Sequence, residues 1–158
     1  MKTNLKGVTT LKGEAVINAT KDRVWQELKE IGAIQNFHPL IQKSYVTTEA
    51  ESGLGAKRTC ELLPMGQMLE EVVEWNEGNS FTMEVIGGKM LPPYRFMTGQ
   101  IELTESGGCT NVRFTFLYQL KFGVLGRLMN VLMIKPQFKK APPKYVEGLK
   151  NYVESLPH

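Results

Sequence analysis

The chain has 158 residues, of which 42% are hydrophobic and 22% charged, with a formal charge of +3. That length supports one domain with a real core, and the composition is that of an ordinary globular chain, not a disordered or membrane-spanning one. So mild a basicity gives no reason to expect nucleic-acid binding.

The N-terminal stretch MKTNLKGVTT carries no apolar segment of the signal-peptide kind, so a cytoplasmic protein is expected. In that compartment Cys60 and Cys109 are expected to be free thiols.

The first strand is expected over Lys12 to Ala19, where polar and apolar residues alternate. Thr20 then reads as a helix N-cap, with Asp22 in the first turn. Val24, Trp25, Leu28 and Ile31 form the buried stripe of that helix and Gly32 its stop. Ala33 to Phe37 reads as a second short helical turn, ended before Pro39. Six strand patterns follow, over Ile41 to Glu49, Ala56 to Leu63, Met68 to Trp75, Ser80 to Gly87, Tyr94 to Glu105 and Asn111 to Leu120. Gly-, Asn- and Pro-rich turns separate most of them and predict antiparallel hairpins. The loop from 87 to 93 is longer and partly apolar.

The C-terminal run from Gly123 to Leu156 is helical in pattern. Val124 to Ile134 form a wide apolar band, and Tyr145, Leu149, Tyr152 and Leu156 a narrower stripe. Pro142 and Pro143 predict a break near Ala141. The fold class is therefore α+β, a curved seven-stranded antiparallel sheet around a long C-terminal helix, with two short helices between strands one and two. Such a sheet is expected to leave a cavity beneath the helix, with the Val124 to Ile134 band closing it on one side.

Metal and nucleophilic chemistry find little support. His38 and His158 are the only histidines, no His and Cys cluster has ligand spacing, and no Ser sits in a nucleophile elbow. No metal or cofactor is expected. The hairpin from 56 to 75 is more informative. With its turn centred on Met65, Cys60 faces Glu70, Arg58 faces Val72 and Leu62 faces Met68. One face then holds a cation and a carboxylate among apolar residues. If that face is concave, Arg58 and Glu70 anchor the polar end of an apolar ligand; if it is convex, they form a surface pair, since a one-residue slip exchanges the faces. Trp75 falls on the opposite face in this register. Met83, Phe114 and Phe116 lie on alternating apolar strands, and Tyr94 and Phe96 open the strand after the apolar loop. Lys135, Lys139, Lys140 and Lys144, around Pro136 and Pro142, read either as a solvated face or as a contact for an anionic membrane surface.

The stretch GAKRTCELLPMGQMLEEVVEWNEG followed by VIGGKMLPPYRF resembles the START-related SRPBCC superfamily, in particular the bacterial polyketide cyclase/dehydrase and lipid transport group. The pattern is carried by Gly55, Arg58, Glu70, Leu91, Pro92 and Tyr94, and the likeness runs from about Gly13 to Ser155. It implies a single START-like, helix-grip domain over residues 1–158 that holds a small hydrophobic molecule or lipid. Ser52, Gly53, Leu54 and Ala56 are also similar to the gate loop of plant abscisic acid receptors, and the 87 to 91 loop falls where their latch lies. Gly55 replaces the gate proline and LysMetLeu the latch HisArgLeu, which speaks against hormone binding but leaves two loops closing one entrance.

The expected ligand-binding residues are Phe37, His38, Arg58, Glu70, Met83, Leu91, Tyr94, Phe96, Phe114, Phe116, Leu125 and Met129. The alternative is an enzyme of the aromatase/cyclase or dehydrase kind, moving protons with His38, Glu70 or Tyr94 in the same cavity.

Overall fold

The computed structural model describes residues 6–157; Met1–Leu5, half of the stretch read above for a leader, and His158 lie outside the described residues. The strands are β1 (Val8–Ile17), β2 (Ile41–Val46), β3 (Lys57–Leu62), β4 (Gln67–Asn76), β5 (Ser80–Lys89), β6 (Tyr94–Ser106) and β7 (Cys109–Leu120). They form one antiparallel sheet in the order β1-β7-β6-β5-β4-β3-β2. Consecutive hairpins thus build a meander from β2 to β7, and β1 returns to pair with the last strand. Helix α1 (Lys21–Leu28) and a 3-10 turn (Ile31–Asn36) connect β1 to β2. After β7 come α2 (Gly123–Met129), a wide π-helical turn (Asn130–Ile134), α3 (Lys135–Phe138) and α4 (Ala141–Ser155).

Strands β2 to β7 lie within a few residues of their expected positions. The first strand differs: it starts at Val8, not Lys12, because Val8 to Leu11 pair with the end of the long β7. It stops at Ile17, where the Ala19 amide bonds back to the Ile17 carbonyl and turns the chain. Thr20 caps α1 by accepting from the Arg23 amide at 3.3 Å. The helix ends at Leu28 instead of running to Gly32, since Glu30 leaves the helical region (φ −83°, ψ 80°). Gly32 serves close packing instead, for a Cβ there would press on the Val46 side chain. The helical run breaks at Lys139 and Lys140, next to the paired prolines that announced it, and Pro142 sits in the first turn of α4, where its missing N–H costs nothing.

The main core packs α1, the 3-10 turn and α4 against the concave face of the sheet. Ile17, Val24, Leu28, Ile31, Ile101, Val146 and Leu149 are all at most 2% exposed. A second cluster gathers Leu11, Val85, Met97, Tyr118 and Leu120 under Met129, Ile134 and Phe138. Trp75 belongs inside, contrary to its expected face. A bulge between Val72 and Glu74 advances the strand by one residue, which brings Trp75 opposite Phe81 and onto the face of Val72. Its ring stacks on Phe81 at 5.3 Å and meets Trp25 edge-on at 5.1 Å. Glu77 accepts from both indole N–H groups, at 2.8 Å from Trp25 and 2.7 Å from Trp75, and so ties α1 to the β4–β5 turn.

Edge strand β2 is held by the 3-10 turn. The Ser44 amide donates to Gln35 Oε1 at 2.7 Å, the Gln35 amide to Ser44 Oγ at 3.1 Å, and Ser44 Oγ to the Gly32 carbonyl at 2.7 Å.

Candidate functional site

The β3–β4 hairpin brings the charged residues together. Its turn closes with the Leu62 amide on the Gly66 carbonyl at 2.9 Å, so the register centres on Pro64 and not Met65. Arg58 is therefore directly opposite Glu70, and Cys60 opposite Met68, two residues from the expected pairing. A shift of two preserves the face, and that face is concave. Arg58 Nε donates to Glu70 Oε2 at 2.7 Å, and Nη1 to the Ile31 carbonyl at 2.8 Å. Their side chains are 5% and 11% exposed, which excludes the surface-pair alternative.

Around this pair the groups are tuned by burial and by one another. Burial alone would lower the Arg58 pKa, but Glu70 outweighs it and holds the guanidinium charged. Cys60 Sγ lies 3.8 Å from Glu70 Oε2; burial pushes its thiol up to about 12, with Arg58 opposing and Glu70 assisting. The Tyr145 phenol from α4 is likewise raised by burial, against the pull of Arg58. His38, 7% exposed, is pushed down to about 4 by burial and then by Arg58 and Lys144. It is therefore neutral at pH 7. Its Nδ1 accepts from the Leu40 amide at 3.1 Å, which assigns the proton to Nε2. Such an imidazole is a hydrogen-bond donor and a very weak base, which counts against the proton-transfer role considered for it.

The remaining expected residues divide into three groups. Phe37 and His38 meet Tyr145 edge-on at 5.7 and 5.3 Å, and Phe114 stacks on it at 4.5 Å, so all three surround the α4 tyrosine. Met83 is in the main core. Leu91, Tyr94, Phe116 and Met129 are half-buried against the second cluster, together with Met68. Two residues do not join. Met97 and Tyr118 pair on the concave face, so their neighbours Phe96 and Gln119, also paired, face outward. Leu125 is 67% exposed. The Val124 to Ile134 band thus does not fill the interior: only Met129 and Ile134 pack inward.

Tyr145 was the site residue hidden from sequence reasoning, because at helical spacing it reads only as part of a packing stripe.

The two-loop entrance also needs correction. The 52–56 segment joins β2 to β3 and the 87–93 segment joins β5 to β6. In an antiparallel meander, connections three strands apart emerge at opposite ends of the sheet. The neighbour of the 87–93 loop is the β3–β4 turn, where a Cβ on Gly66 would lie 3.6 Å from Met90. Among the described residues the surface clefts include one of about 100 Å³ beside α2 and an open groove of about 520 Å³ between Phe37 and α4. Neither is the cavity expected between sheet and helix, where Phe114 and Tyr145 are stacked.

A curved sheet gripping a C-terminal helical run defines the helix-grip class of folds. The solved structures that share it include TTHA0849 from Thermus thermophilus (TM-score 0.76, 19% identity, covering 93% of this chain and 98% of that one), Ara h 8.0201 (0.74, 13%, 95% and 100%) and XoxI from Bacillus cereus (0.70, 15%, 96% and 99%). At such identities the likeness is one of fold. The sequence profile of the polyketide cyclase/dehydrase and lipid transport family matches residues 8–154, and the chain belongs to that family. No curated protein matches it in sequence.

Proposed function

We propose that the protein is a single ligand-binding domain that holds a small hydrophobic molecule on the concave face of its sheet, with the polar end of the ligand at Arg58 and Glu70. The observation that carries this reading is the buried ion pair itself. Withdrawing two charges from water costs several kcal/mol per ion, roughly, and a well-packed apolar pair is often as stable. A pair retained in an apolar interior is explained by something it must orient. Half-buried Met68, Leu91, Tyr94 and Phe116 supply apolar surface against the second cluster, suited to the apolar part of such a ligand. Membership of a family whose description includes lipid transport supports the same ligand class, and two free thiols, Cys60 and Cys109, suit a cytoplasmic carrier.

The test replaces the pair by apolar residues, Arg58→Met with Glu70→Leu, which avoids stranding one charge. Binding of a long-chain alcohol should weaken about tenfold, the loss of one good polar contact, while a hydrocarbon probe such as diphenylhexatriene binds as before. Equal loss of both ligands would remove the anchoring role, and failure of the unaltered protein to bind either would remove the reading. A catalytic version would rest on Glu70 or Tyr94; turnover of a polyketide-like substrate that Glu70→Gln abolishes while binding persists is its signature.

A further inference from the structure

The segment Phe122–Met133 is turned inside out. Val124, Leu125, Leu128, Val131 and Leu132 recur at helical spacing on one face, and each is at least 55% exposed, as are Phe122 before them and Met133 after. The opposite face sets Met129 on the second cluster and is otherwise small and polar where it touches. Gly126 sits directly against the Lys121 carbonyl. Asn130 accepts from the Tyr118 hydroxyl at 2.6 Å and donates to Thr9 Oγ1 at 2.9 Å. These contacts fix the rotation of the segment, so the apolar face is held outward by the chemistry of the inner face. A contiguous exposed apolar surface of this kind marks a docking site.

Charge identifies what it docks to. Between Leu120 and Glu147 the sequence has no Asp or Glu, yet it carries Lys121, Arg127, Lys135, Lys139, Lys140 and Lys144. All but the half-buried Arg127 are exposed. The cleft of about 100 Å³ at the foot of α2 adds Lys6 and Arg95 to Arg127 in its lining. That is room and charge for a phosphate-sized group. The neighbouring β5–β6 loop, which presents Met90 at 72% exposure, is hydrogen-bonded to the start of α2 through the Lys121 amide and the Pro93 carbonyl at 3.0 Å. A second copy of the chain is a poor partner, because a two-fold interface sets the same patch against itself and would oppose these cations. An apolar helix face rimmed by cations fits an anionic lipid surface. Among the described residues no helix is long and apolar enough to cross a membrane, so the segment would lie on it.

We infer that Phe122–Met133 docks the protein onto anionic bilayers, with the apolar face in the acyl boundary and the flanking lysines and arginines at the headgroups. This goes beyond the ligand-binding reading and does not depend on it.

The experiment is co-sedimentation of the full chain with vesicles of phosphatidylcholine containing about 30% phosphatidylserine, against phosphatidylcholine alone. Binding to the anionic vesicles is expected, weakening markedly as salt rises from about 0.05 M to about 0.5 M. The triple variant Leu125→Ser, Leu128→Ser, Leu132→Ser should lose roughly tenfold or more of that binding. Because its positions face solvent, it should keep its melting temperature and its circular dichroism spectrum in vesicle-free solution. The inference is overturned by no sedimentation, by equal binding to both vesicle types, by full binding of the triple variant, or by a dimer that the same three substitutions dissociate. None of these results touches the Arg58 and Glu70 test, whose failure would leave this one standing.

Discussion

The two halves of the C-terminal run are alike in sequence and opposite in use. In α4 the apolar stripe faces in: Tyr145, Val146, Leu149 and Val153 are at most 5% exposed and close the main core. In α2 and the π-helical turn most of the apolar stripe faces out, while Gly126, Asn130 and the inward-packed Met129 and Ile134 make the contact with the rest of the fold. Periodicity reports that a helix has two faces; it does not report which one meets the protein. The deciding residues are the few on the minor face, and in α2 and the π-helical turn they include Gly126 and Asn130.

Replacing Leu149, which is 0% exposed, strikes the half that stabilises the fold. Leu149→Ala should cost about 2–5 kcal/mol in urea unfolding; a loss under about 1 kcal/mol would mean that α4 is loosely docked. His38, packed on Tyr145 beneath α4, gives that half a pH dependence. Its folded pKa of about 4 lies below its ordinary 6.5, so the unfolded chain takes up the proton first. Its contribution is complete above pH 6.5 and is lost as the pH falls toward 4, by an amount on the order of 3 kcal/mol. His38→Leu should flatten the stability profile in that window, and an unchanged slope would assign it to other groups.

Asn130→Leu leaves the Tyr118 hydroxyl and Thr9 without their partner and should cost about 1–3 kcal/mol. It should also free α2 to rotate, read as a change in hydrogen exchange confined to Gly123–Ile134; unaltered exchange there would show that other contacts set the rotation. The smallest effect belongs to Leu128→Ser, 55% exposed, expected within about 0.5 kcal/mol of the unaltered protein. A large destabilisation would place Leu128 inside and erase the contrast between the halves.

Much of this was legible beforehand. Strong alternation and turn-rich separators located β2 to β7, paired prolines located the break, and parity alone kept Arg58 and Glu70 on one face although the hairpin register was off by two. What escaped was set by non-local contacts. The bulge at Val73 that brings Trp75 inside has no local mark. The ends of β1 depend on the length of β7. Leu125 was expected inside because a broad apolar band is read as core, and Phe96 because its strand was counted without the irregularity between Tyr94 and Phe96. Tyr145 joined the polar cluster only through the way α4 crosses the sheet.

The clasp on β2 has a bearing on how the sheet ends. An edge strand offers unpaired amides that another extended chain can adopt, which is how sheets spread between molecules. Here the Ser44 amide is already taken by Gln35, and a bulge between Ile41 and Lys43 interrupts the line of donors beside it. An eighth strand, from a neighbour or an aggregate, would first have to displace the hydrogen bonds that bind Ser44 to Gln35 and Gly32. Three side-chain contacts in a short connection thus act as a selvedge, keeping the woven edge from being extended.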